Sequence, residues 1–466
     1  MDPMGILVHG KERDGSKLFA NVRYAQDVKA WKSLYSAGMV RNILLLCIGP
    51  VLAYGQNPPP SEVAGIPVNY DEAKVGTYTL PDPLTMANGK KVTDARTWNE
   101  KRRPEILKLF EEDQYGRAPK ALPESHFRTF EGPTPAFDGK AIRKQGTVYF
   151  SADENGPKVD VLVYLPPQAK DHPVPLLLNA GFTANSSSVD DPGVKPGEIW
   201  GRDKKRVAAP KGAFGRLNVL PILAQGFGVA TVYYGDIDPD FLGGATLGVR
   251  GLYLKSGQSE PAADEWGAIG AWAFGLSRVL DYLSTDSQVD AKRVALMGVS
   301  RLGKTVLWTA ARDQRFAAVI ASCSGEGGAA ISRRNYGETI AHLTAPTRYP
   351  YQFAANYGKW ANKVNEFPVD ANLLLALVAP RPVLLQTGTT DGWSDPRGEF
   401  LAAVAAGPVF RLLGAQDLGT DTMPAPGTPI LHTLGYFEHV GGHGTLPADW
   451  SVFLQFLEMH LKKMTE

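Results

Sequence analysis

The 466-residue chain predicts an α/β fold in which a mostly parallel central sheet lies between two layers of helices. Three observations carry that expectation. Six apolar runs, VDVLVYL, VPLLLNA, GVATVYY, RVALMG, FAAVIA and PVLLQTG, are nearly continuous in hydrophobicity, as strands covered on both faces are. Stretches of helical periodicity alternate with them, and parallel pairing needs such crossover connections. Finally, RVALMG closes on a glycine, and a serine two residues on stands directly before the helical pattern that follows.

From the N-terminus, Arg41 and Asn42 precede the apolar run ILLLCIGPVLAYG. The run closes on Ala53, Tyr54 and Gly55, the layout of a secretory signal with a small-x-small cleavage site. Gly49 and Pro50 interrupt it and it is short for a membrane span, so removal near Gly55 is expected and stable membrane insertion is not. Met39, just before Val40 and Arg41, is the expected natural start. Residues 1–55 thus read as an upstream extension plus a signal-like segment, and the mature protein is expected in the periplasm or outside the cell. Leu46 precedes Cys47 where a lipoprotein signal wants a small residue, which argues against lipidation. With Cys47 removed, Cys323 is the remaining cysteine and no internal disulfide is expected. GQNPPPSEVAG (Gly55 to Gly65) is rich in prolines that deny the backbone regular hydrogen bonds. Residues 56–76 are therefore expected to be a flexible leader, and residues 77–466 a single catalytic domain.

Within that domain, Trp266, Ile269, Ala273, Leu276, Leu280 and Leu283 fall on one helical stripe, which suits a crossover between GVATVYY and RVALMG. Helices are also expected over Arg301 to Arg312 and Pro447 to Lys462, the second facing inward with Trp450, Phe453, Phe456 and Leu457. The composition, 44% hydrophobic and 21% charged, is that of a chain able to bury a large core. Its 49 basic and 48 acidic residues form no long block of either sign. No nucleic-acid partner is expected, and a small molecule or a neutral polymer fits better.

The chemistry begins at GVSRLGKTVLW, Gly298 to Trp308. A nucleophilic serine on a sharp strand-to-helix turn is the elbow of an α/β-hydrolase, usually Gly-x-Ser-x-Gly. Here Leu302 takes the second glycine's place and Gly303 follows it. The fold requires the further order serine, acid, histidine. Asp391 stands three residues past the end of PVLLQTG, and His443 sits between glycines in EHVGGHGT, so all three stations are filled in order. Ser300 alone could be an N-cap; the filled acid and base stations favour the nucleophile. Arg301 supplies a backbone N–H and a guanidinium where an oxyanion develops, and Lys304, one turn on, can face the same pocket. His439 and His443 have a metal-like spacing, but Val, Gly and Gly between them make no zinc motif. GDIDPD alternates acids, yet lacks the glycine and the distal glutamate of a calcium loop. His342, His432 and Cys323 read as structural.

Gly298-Val-Ser300-Arg301-Leu-Gly303-Lys304 resembles the Gly-x-Ser-Arg-x-Gly-Lys signature of glucuronoyl esterases, carbohydrate esterase family 15, including the displaced glycine. GFGVATVYYGDIDPD, CSGEGGAAISRRNYGET, TGTTDGWSDPRGEF and HVGGHGT extend the resemblance from about Thr77 to the C-terminus. It implies a bacterial-type α/β-hydrolase that cleaves esters of (4-O-methyl-)glucuronic acid, as in lignin-carbohydrate linkages of glucuronoxylan, through a glucuronoyl-enzyme. By that match Ser300 is nucleophile, His443 base and Arg301 oxyanion stabiliser, with Lys304, Glu338 and Trp393 on the sugar. In part of the family a glutamate early in the loop after the next strand is the acid; that position here is Cys323. The acid is therefore assigned to Asp391, with Glu326 in reserve. No cofactor or metal is expected, and the enzyme is expected to act as a monomer on polymeric substrate. The alternatives are an acetyl xylan esterase or other α/β-hydrolase, and a carbohydrate-binding protein on a hydrolase scaffold.

Overall fold

The computed structural model describes residues 59–119, 125–210 and 215–462. Among them, nine strands form one sheet: β1 (His126–Ala136), β2 (Ala141–Tyr149), β3 (Lys158–Leu165), β4 (Val174–Gly181), β5 (Gly228–Tyr233), β6 (Val289–Val299), β7 (Ala318–Ser322), β8 (Val383–Gly388) and β9 (Leu434–His439). Their spatial order is β9-β8-β7-β6-β4-β5-β3-β2-β1. Pairs from β9 to β5 are parallel, and those from β5 to β1 antiparallel. This is the α/β-hydrolase sheet.

The six apolar runs all become strands, because alternate residues serve two cores. Leu176, Leu178, Leu296, Val319 and Leu385 face one layer; Leu177, Ala295, Met297, Ile320 and Leu384 face the other. Helices α1 (Arg103–Asp113), α3 (Ala268–Leu283), α4 (Arg301–Arg312), α5 (Ala371–Val378) and α6 (Pro396–Leu412) bury Phe110, Leu276, Val306, Leu374 and Phe410 in the first. Helices α2 (Val219–Ala224) and α7 (Asp449–Leu461) bury Ile222, Phe453 and Phe456 in the second. Each such side chain contributes about 1.5–3 kcal/mol by leaving water.

Three strands lie outside the apolar runs. β1 carries Pro133 and Pro135, which an edge strand tolerates because one side of its backbone needs no partner. β2, AIRKQGTVY, reads as polar yet is buried throughout. Its charges are paired: Arg143 with Glu131 at 2.7 Å and Asp191 at 2.8 Å, and Lys144 with Asp286 at 2.6 Å. β9 is a short edge strand whose six residues are all buried.

The described part of the expected leader is tied down. The compact unit begins at Pro60, with a two-stranded hairpin over Glu62–Val63 and Ile66–Pro67. Asn69 Nδ2 donates to Asn335 O at 2.6 Å and Asn69 O accepts from Gly337 N at 2.8 Å. The Glu72 carboxylate meets Arg334, and Arg397 Nη1 at 3.3 Å. The prolines that suggested looseness end at Pro60; the polar residues after them find partners in the body. The signal-like segment, Met39, Cys47 and residues 56–58 lie outside the described residues. Among the described residues no helix is long and apolar enough to cross a membrane.

Candidate active site

Ser300 joins β6 to α4 at φ 58° and ψ −128°. A non-glycine residue there costs about 1–3 kcal/mol and persists only where the surroundings hold it. Ser300 N donates to Ser322 O at 2.8 Å, and Ser300 O accepts from Lys304 N at 3.1 Å. The flanking glycines are steric necessities. A Cβ on Gly298 would collide with the Leu302 carbonyl oxygen, and one on Gly303 would come within 2.9 Å of Ser322 O. The displaced second glycine is thus the place where α4 packs on the end of β7.

Asp391 and His443 meet above the ends of β8 and β9, with Asp391 Oδ2 at 2.7 Å from His443 Nδ1. A carboxylate only accepts, so Nδ1 carries the proton and donates it; Ser394 Oγ lies 3.3 Å from the same nitrogen. The acid is buried while the imidazole is 31% exposed. The reserve acid is occupied elsewhere: Glu326 Oε1 accepts from the hydroxyls of Ser332 and Tyr357, both at 2.7 Å. Burial pushes the Glu326 carboxyl up to about 8. His439, the other histidine of EHVGGH, pairs with Asp449 at 2.7 Å and lies 2.9 Å from Gly442 O, bracing the loop that carries His443.

Arg301 points its guanidinium at Asp240, with Arg301 Cζ 4.8 Å from the ring centre of Tyr349. Asp240 is fully engaged: Tyr234 Oη and Gln352 Nε2 donate to it at 2.7 Å, and Tyr351 Oη at 3.0 Å. Burial works against its charge, but Arg301 and these donors hold the carboxyl below the usual range. Lys304 Nζ donates to Ser324 O at 2.7 Å and stands 3.9 Å from Glu338. Burial lowers the affinity of its amine for a proton against the pull of Glu338. Glu338 also accepts from Arg348 Nη2 at 3.0 Å, and the Arg348 guanidinium lies 5.4 Å from the Trp393 ring. Trp393 O accepts from Glu338 N at 2.9 Å, which joins the two expected sugar contacts directly.

The structure thus brings Ser300, Arg301 and Lys304 together on one turn, Asp391 with His443, Lys304 with Glu338, and Glu338 with Trp393. Sequence reasoning missed Asp240, Arg348, Tyr349 and Ser394. Asp240 sat in the GDIDPD run, whose three acids each meet an arginine: Arg206, Arg250 and Arg301. Arg348 and Tyr349 stand in a loop without a motif. Among the described residues, Cys323, Asp391 and His443 each bring one potential metal-ligand atom within 4.8 Å of the others.

A sequence model of the fungal glucuronyl esterases matches residues 260–414. A carbohydrate esterase from an unidentified prokaryote, MZ0003, is 43% identical over 402 residues, spanning 84% of this chain and 92% of its own. The 4-O-methyl-glucuronoyl methylesterase of Podospora anserina is 28% identical over 350 residues, 72% of this chain and 61% of its own. Among solved structures, a glucuronoyl esterase from Solibacter usitatus superposes with a TM-score of 0.80 at 44% identity, covering 84% of this chain and all of that one.

Proposed function

The chain belongs to the glucuronoyl esterases of carbohydrate esterase family 15, and from that premise we propose that Ser300, His443 and Asp391 form its catalytic triad, acting on glucuronate esters that join xylan to lignin. That it is a carboxylic ester hydrolase follows from membership; the residues and the linkage are our reading. One observation supports it above the others: a serine on a strained strand-to-helix turn shares the carboxyl end of the sheet with a bonded carboxylate-imidazole pair.

In this reading Asp391 holds the Nδ1 proton, leaving the Nε2 lone pair to take the proton of Ser300. The serine oxygen attacks the uronate carbonyl, and the oxyanion is met by the backbone N–H and guanidinium of Arg301, which Asp240 holds in place. His443 then protonates the leaving alcohol, and water releases the acid from the glucuronoyl-enzyme. Lys304 and Glu338 have polarity for sugar hydroxyls, and the Trp393 indole can lie against a pyranose face. The reading also includes export with cleavage near Gly55, which the mass of the mature N-terminus tests.

The deciding experiment compares benzyl glucuronate with p-nitrophenyl acetate, using Ser300→Ala as the blank. Preference for the uronate ester, lost in the variant by about 10⁴-fold or more, is the expected result. Preference for acetate would transfer the enzyme to short acyl esters, and a variant as fast as the native enzyme would end the triad assignment.

A further inference from the structure

We propose that Cys323, Asp391 and His443 form an inhibitory site for a thiophilic divalent cation of the Zn²⁺ or Cd²⁺ class. The acyl-transfer reaction gives Cys323 no step, yet the thiol sits at the foot of the pair that drives it. The three residues leave the ends of adjacent strands β7, β8 and β9, and one ligand atom from each lies within 4.8 Å of the others. Cys323 is itself at a left-handed φ of 45°. Its sulfur accepts from Gly444 N at 3.4 Å and lies 3.7 Å from Gly444 O, so it touches the residue next to the imidazole.

The donor set selects the ion. A thiolate, an imidazole and a carboxylate suit zinc and cadmium, whereas magnesium and calcium prefer oxygen alone. Zinc bonds of about 2.0–2.3 Å in a tetrahedron set the ligand atoms about 3.3–3.8 Å apart. That spacing falls between the 2.7 Å of the acid-base pair and the 4.8 Å bound on the whole group, so a small rotation of His443 would open the space. Access comes from the imidazole, 31% exposed, above the two buried ligands. Water on that side would complete the four-coordinate shell.

Binding would move two protons. The thiol releases its proton to solvent as the metal-sulfur bond forms. The imidazole proton leaves Nδ1, whose lone pair goes to the ion, and returns through solvent to Nε2. The ring stays neutral but has no lone pair facing Ser300, so turnover stops. The effect on turnover rests on His443 being the base; binding of the ion does not.

The test uses the native protein, Cys323→Ala and Cys323→Ser in metal-free buffer, with ZnCl₂ as the inhibitor and CdCl₂ as the spectroscopic probe. Each variant's activity with zinc is compared with its own activity without it, and thermal melts check that each is folded. Native activity should fall in micromolar zinc and return with a chelator, and the alanine variant should need about 10–100-fold more zinc. Cadmium should raise an ultraviolet cadmium-thiolate absorption in Ser300→Ala that the added Cys323→Ala change removes. Equal zinc sensitivity with and without the thiol would overturn the proposal, as would absence of the thiolate band. Should uronate esters prove not to be substrates, the cadmium band still decides binding. Where the alanine variant melts early, the serine variant, which keeps the volume and loses the soft donor, gives the same comparison.

Discussion

At the scale of single residues, the charges of the candidate site are met by defined partners: Asp391 by His443, Arg301 by Asp240, and Glu338 by Lys304 and Arg348. Asp391→Asn keeps the shape of the acid but can present its amide to Nδ1, which favours the wrong imidazole tautomer. Turnover of a uronate ester should fall by about 10³–10⁴-fold with the melting temperature nearly unchanged. Glu326→Gln should leave turnover within a few-fold, because Glu326 bonds Ser332 and Tyr357 and is remote from this role. If the two variants behaved the other way round, the acid would be Glu326. Asp240 acts through Arg301: Asp240→Asn removes the charge that orients the guanidinium. We expect kcat lower by about 10–100-fold with KM little changed, since the oxyanion forms only after binding. A rise in KM alone would place Arg301 in substrate binding instead.

At the scale of elements, the elbow is made by packing. Helix α4 starts one residue after Ser300, and its first turn lies so close to β6 and β7 that only glycine fits at positions 298 and 303. Gly298→Ala should cost about 1–3 kcal/mol, as overfilling a packed site does, and should remove most activity because Ser300 shifts with the helix start. Gly303→Ala should cost less, its nearest atom being 2.9 Å away. Denaturant midpoints and esterase rates on the same preparations check the order, and equal midpoints for both would contradict it. The loop of Glu338 is set in the same way. A Cβ on Gly337 would lie 2.5 Å from the carbonyl oxygens of Gly392 and Trp393, so the two segments proposed to face the sugar approach as bare backbone. The elbow was legible in sequence because strand, glycine, serine and helix are contiguous. Arg348 was not, since it reaches Glu338 ten residues back, past the short helix Ile340–Thr344, with no motif linking the two.

At the scale of the whole molecule, the segment from Ile66 to Glu72 braces the loop that carries Glu338. Ile66 O accepts from His342 Nε2 at 3.3 Å, and Asn69 and Glu72 hold Asn335, Gly337 and Arg334. A chain starting at Gly76 should therefore melt earlier, with KM for a uronate ester raised by about tenfold, the equivalent of roughly 1.4 kcal/mol. An unchanged KM would show that the loop stands by itself. Stability should also depend on pH through Glu326 and Glu399, both pushed by burial from 4.5 to about 8. The folded state keeps these protons more tightly than the unfolded chain. Their contribution is complete below about pH 4.5 and declines as pH rises toward 8. Glu326→Gln mimics the protonated acid and should flatten the fall in melting temperature between those limits by a few degrees; the same slope in both proteins would refute the shift.

The sequence by itself determined what local pattern can carry: the apolar runs of a parallel sheet, the serine at a strand-to-helix join, the chain order serine, aspartate, histidine, and the helix over Arg301–Arg312. These are readable because period, turn chemistry and chain order are properties of neighbours along the chain. Tertiary structure alone decided the rest. It buried the polar strand Ala141–Tyr149 by bringing carboxylates to Arg143 and Lys144. It paired Arg301 with Asp240 and anchored the segment after Pro60. It also engaged Glu326 with two hydroxyls while giving Asp391 to His443. The physical reason is common to all of these: a buried charge requires a partner, and which one it meets is set by strands and loops tens to hundreds of residues apart.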